Sequence, residues 1–106
     1  MVKSALQRLS EWYSGRCDGD WEHGHGFRIS TLDNPGVAIE IDLRGTPLVT
    51  VPFPERKYHY ESSTEWMVCS RTDAHFVGRG APGRLEDIVL VFLDWADGHT
   101  PSAHPE

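Results

Sequence analysis

The run CDGDWEHGHG, Cys17 to Gly26, gathers three carboxylates, two histidines, a thiol and an indole, spaced by glycines. Three chemistries use such residues. The first is metal binding. His23 and His25 stand two apart, which on a strand puts both on one face, and Asp18, Asp20 and Glu22 share one parity. A zinc site, however, wants three or four ligands with a recognisable second pair, and the remaining thiol in the chain is the distant Cys69. The calcium-loop pattern also fails, because the sixth position from Asp18 needs a glycine and holds His23. The second is acid–base catalysis, with Asp18 and Asp20, or Asp20 and Glu22, as a carboxylate pair of the glycosidase kind; sequence neighbours seldom supply the separation. The third is a Cys17–His23 nucleophile and base. The chain has no phosphate-cradling glycine loop and no nucleophile elbow. A small metal-binding protein or a hydrolase using CDGDWEH stays the alternative reading. The leading expectation is no catalytic residue, no metal and no cofactor.

The same residues also make turns and surfaces. Asp-Gly-Asp is turn chemistry, since an aspartate can accept from backbone N–H groups two or three residues on. Trp21 is then expected in the core. Acidic groups around a tryptophan also match the composition of a binding hot spot with electrostatic steering.

The flanking periodicities show what must position this run. Ser4 and Gln7 form a capping-box pattern, and Ala5, Leu6, Leu9, Trp12 and Tyr13 follow at helical spacing, with Gly15 as a stop. After the run the period becomes two. Phe27, Ile29 and Thr31 alternate with polar residues, and Asp33-Asn34-Pro35-Gly36 turns the chain. Val37, Ile39, Ile41 and Leu43 then alternate with Ala38, Glu40 and Asp42, which places Asp42 on the solvent face. Val49, Val51 and Phe53 predict a third strand, closed by Pro52 and Pro54. Residues 54–64 read as a polar loop or ragged hairpin arm, and 65–71 and 75–80 as two more strands. From Leu85 the helical stripe Leu85, Ile88, Val89, Phe92, Trp95, Ala96 returns, with Glu86 and Asp87 in the first turn. Gly98 is expected to end it. Fold class is therefore α+β: an antiparallel β-meander of about five strands flanked by an N-terminal and a C-terminal helix. Residues 1–98 form one domain, and 99–106 are expected as a disordered tail.

With 106 residues, 39% apolar and 25% charged, the composition is that of one globular domain. No apolar run approaches the ~20 residues of a membrane span, and the N-terminus lacks a signal-peptide pattern, so a cytoplasmic location is expected. Cys17 and Cys69 are expected as reduced thiols. A net charge of -6 speaks against direct nucleic-acid binding and for a basic partner.

The stretch WYSGRCDGDWEHGHGFRISTLDNPGVAIEIDL resembles the signature of the immunity protein 53 family of bacterial polymorphic toxin systems. The matching positions are Trp12, Tyr13, Cys17 to His23, Gly26, Thr31 to Gly36 and Ile41 to Leu43, with weaker matches at Trp66, Gly78 and residues 85–95. One position departs: the family commonly has a tryptophan after the Pro-Gly turn, where this chain has Val37. The resemblance implies a small α+β protein that binds and neutralises a cognate toxin without catalysis or cofactor. Many such toxins are nucleases, and nucleases are usually basic. The candidate toxin-binding residues are Asp18, Asp20, Trp21, Glu22, His23, Asp33, Asn34 and Asp42. Trp21 and one aspartate are expected to build the fold; Glu22, His23 and the other aspartate are expected to form an acidic surface beside the Asp33–Asn34 turn. The toxin's identity and the oligomeric state stay open.

Overall fold

The computed structural model describes residues 3–99; the expected tail, from residue 100 on, lies outside the described residues. Helix α1 spans Ala5–Arg16, and the Ser4 hydroxyl accepts from the Gln7 N–H at 3.1 Å, as the capping pattern predicts. The helix runs through Gly15 and ends at Cys17. A one-turn helix, α2, spans Trp21–Gly24. Strands β1 (Phe27–Leu32) and β2 (Gly36–Asp42) form a hairpin across the Asp33–Pro35 turn. Strands β3 (Arg56–Tyr58), β4 (Met67–Arg71) and β5 (His75–Gly80) follow, and α3 spans Leu85–His99, continuing past Gly98.

All neighbouring strands are antiparallel, and two long helices flank one five-stranded sheet, so the α+β expectation holds. The order is β1-β2-β5-β4-β3. The meander is thus broken once: β2 pairs with β5 instead of β3, which puts the two most buried strands at the sheet centre. Helix α3 lies close against β5. A Cβ at Gly78, in β5, would collide with the Ile88 side chain of α3 and meet Ile39 Cγ2 at 3.4 Å.

The predicted strand at Val49 and Val51 does not form. Residues Pro47–Thr50 make a 3-10 turn, capped by Thr46, whose hydroxyl accepts from the Leu48 N–H and donates to the Leu43 carbonyl. The cause is non-local. The Arg71 guanidinium donates to the carbonyls of Leu48, Val49 and Val51 at 2.6–3.0 Å, so these groups are unavailable to a ladder. The third strand falls instead at Arg56–Tyr58, inside the segment expected as a loop or ragged arm.

One sheet face carries the core. Ile39 and Ile41 of β2, Phe76 of β5 and Cys69 of β4 meet Ile88, Val89 and Phe92 of α3, all fully buried. The predicted α3 stripe is the buried one, with Leu85 partly covered. Leu93 is also buried, and Leu90 and Val91 pack against the core.

Candidate functional site

The Cys17–Gly26 run folds as a knot at the sheet end where β1 begins and β2 finishes. Asp18 caps it. Its Oδ1 accepts from the Asp20 N–H at 3.0 Å and the Trp21 N–H at 2.9 Å. Glu22 reciprocates, accepting from the Asp18 and Gly19 N–H groups at 3.0 and 2.9 Å, which is the two-way satisfaction of a capping box. Gly19 sits at φ +93°, where a side chain would be strained. Both carboxyls are held below their ordinary range. For Asp18 the causes are the Trp21 and then the Asp20 amide. For Glu22 they are its own amide first, then those of Asp18 and Gly19.

Asp18 is therefore the structural aspartate. Glu22, expected as free surface, is also committed to holding the loop. Asp20 is exposed and makes no capping bond. His23 is exposed as well.

Trp21 is 7% exposed, packed into the fold as expected. Its Nε1–H donates to the Arg44 carbonyl at 2.7 Å, and its ring lies against Trp12, Tyr13 and His25. Gly45 lies beneath it: φ is +77°, and a Cβ there would come within 2.9 Å of Trp21 Cδ1. The indole thus clamps the loop to the turn after β2.

Asp42 corrects the solvent-face expectation. It is 4% exposed, enclosed by His25 of the loop and by Arg44. Its carboxylate accepts from the Arg44 N–H at 2.9 Å, from Arg44 Nε at 3.1 Å and Nη2 at 2.9 Å, and pairs with His25 Nδ1 at 2.7 Å. Burial opposes its ionisation, but the Arg44 and His25 hydrogen bonds outweigh it and hold the carboxyl well below the usual range. His75 Nε2 is 3.9 Å away. Around this pair opens a shallow depression of about 400 Å³, lined by His23, His25, Arg28, Glu40, Arg44 and His75 among others.

His25, Arg44 and His75 were missed as site residues. The spacing of His23 and His25 was visible in the sequence; the pairing of His25 with Asp42 depends on the hairpin register and was not. Asp33 and Asn34 are exposed, but they lie at the other end of the β1–β2 hairpin. At ~3.3 Å per strand residue that is about 20 Å from the loop, so the expected single acidic surface beside the turn does not exist.

The arrangement is that of a scaffolded surface. The imidazole of His25 is oriented by a carboxylate, but Cys17 is turned away from it, donating to the Tyr13 carbonyl at 3.3 Å. Cys69 is buried in the core, and burial pushes its thiol up to about 12. Among the described residues no three His, Cys, Asp or Glu side chains converge to hold a metal ion. Nor is any helix there long and apolar enough to cross a membrane. No curated protein and no solved structure matches the chain. The family model described as immunity protein 53 matches residues 6–97, from α1 to near the end of α3. With nearly the whole fold covered by that match, this chain belongs to the immunity protein 53 family.

Proposed function

We propose that the chain neutralises a cognate toxin by binding it stoichiometrically, without modifying it and without a cofactor, and that the α2 end of the sheet faces the toxin. Family membership over residues 6–97 is the observation that carries this reading. The α2 end supports it by its chemistry. Asp18, Asp20 and Glu22 stand within five residues of chain on a clamped loop. Asp18 and Glu22 keep their charge through hydrogen bonds that favour the ionised form. A rigid acidic loop on a chain of net charge -6 suits a basic toxin such as a nuclease, whose positive cleft it would meet quickly and could occupy in place of phosphate. The rims of the Asp42 depression, His23, Arg28 and Glu40, extend the same surface.

Asp20 is the clean probe, because its side chain makes no capping bond. Asp20→Asn is expected to keep the fold, to slow association with the toxin encoded beside this chain's gene, and to flatten the salt dependence of that rate. Stopped-flow association at two ionic strengths reads both. Unchanged rates at both would remove the α2 loop from the contact; failure of the wild-type chain to bind would remove the immunity reading itself.

A further inference from the structure

We infer that two copies of this chain join through the free edge of β1, extending one sheet into the other. β1 is an outer strand of the sheet, and among the described residues no strand lies on its far side. The direction of its backbone groups follows from two hydrogen bonds. The Asp42 N–H donates to the Gly26 carbonyl at 2.8 Å, and the Leu43 N–H donates to the Ala74 carbonyl at 2.7 Å. Even-numbered residues of β2 therefore bond toward β1 and odd-numbered ones toward β5. With Arg28 opposite Glu40 and Ser30 opposite Ala38, the even residues of β1 are consumed by that ladder. Phe27, Ile29 and Thr31 turn their N–H and C=O groups outward.

Apart from the exposed Arg28, this edge lacks the usual protection. FRISTL contains no proline, no lysine and, in its unbroken register, no bulge. Residues 28–31 are all exposed, and Ile29 is one of three large exposed hydrophobic side chains among the described residues, at 40%. The opposite edge, β3, is three residues long and carries Arg56 and Lys57, a guarded edge by comparison.

The edge is also complementary to itself. Two β1 strands pairing antiparallel must place side chains of one face opposite side chains of the same face. They must also place outward backbone groups opposite outward backbone groups. A register centred on Ile29 satisfies both conditions together. Ile29 then faces Ile29 of the second copy on the helix-bearing side, Phe27 faces Thr31, and Arg28 faces Ser30 on the other side. No like charges directly oppose. Charge also selects the occupant. Residues 24–32 contain no carboxylate, so this strip gives a basic toxin little to hold, whereas a second copy meets an uncharged apolar contact on the two-fold axis.

Sedimentation velocity and light scattering on the full chain, without toxin, test this across a wide concentration range. The mass is expected to double as concentration rises. Ile29→Glu and Ile29→Lys should each give the monomer mass, and an equal mixture of the two should restore the dimer, because position 29 meets itself. Ile29→Pro, which removes an outward N–H and leaves the β2 ladder intact, should also be monomeric. Circular dichroism verifies the fold of each. A monomer mass for the wild type at every concentration overturns the inference, as does a dimer that survives all three substitutions or a charge mixture that stays monomeric. A toxin strand occupying the edge instead would appear as a monomeric chain whose toxin complex is lost with Ile29→Pro, and that result overturns it too.

Discussion

Asp18 and Asp20 carry the same charge two residues apart and have different tasks. Asp18 satisfies two amides at the start of α2, and Asp20 satisfies none of them. Asp18→Ala is therefore expected to lower the thermal midpoint, and Asp20→Ala to leave it nearly unchanged, in paired melting curves. Nothing in the sequence separated them, because Asx capping depends on which carboxylate lies over the amides, not on residue type. Arg71 makes the same point more strongly. It reads as the unremarked end of a strand, yet its guanidinium also donates to the Thr72 and Asp73 carbonyls, besides those of the 3-10 turn. Arg71→Met would leave several part-buried carbonyls unpaired and is expected to cost about 2–3 kcal/mol in chemical denaturation. A smaller loss than 1 kcal/mol would mean that water replaces it.

At the scale of elements, the helices were the most legible. Ser4 and Gln7 fix the start of α1 locally, and the α3 stripe is periodic over three turns, so neither needs knowledge of the rest of the chain. Phe92 is fully buried, with Trp12, Phe76 and Trp95 ring centroids at 5.0, 5.2 and 6.1 Å. Phe92→Ala should cost roughly 3–5 kcal/mol by denaturant midpoint. Gly78→Ala should cost about 1–3 kcal/mol, because the added methyl has no room beneath Ile88. The hairpin β1–β2 was legible for the same reason as α3. What misled was apolar alternation at Val49, Val51 and Phe53, a strand pattern in which Phe53 instead tucks against Phe76 and Trp95 at 5.4 and 5.2 Å. Alternation at Asp42 misled too. Period two fixes which face a side chain takes, but not whether another segment covers that face, and here His25 and Arg44 do.

For the whole molecule, the depressed carboxyls set an acid limit. Asp18, Glu22 and Asp42 all sit below their ordinary values of 3.8, 4.5 and 3.8. Each binds its proton more readily unfolded than folded. Their stabilisation is thus complete above about pH 4.5 and is lost progressively as pH falls through and below these values. Urea midpoints should be flat from pH 7 to about 5 in this respect and fall below pH 4, with a shallower fall in Asp42→Asn. The family match makes the chain an immunity protein, and the most direct test of the proposed stoichiometric neutralisation is a titration. Toxin activity is followed as increasing amounts of the chain are added, and the toxin's mass is recorded before and after. Stoichiometric neutralisation requires activity to fall linearly to an endpoint at one chain per toxin, with the toxin's mass unchanged. Activity lost at far below equimolar chain, or a toxin of altered mass, would contradict it and show a catalytic mode of protection.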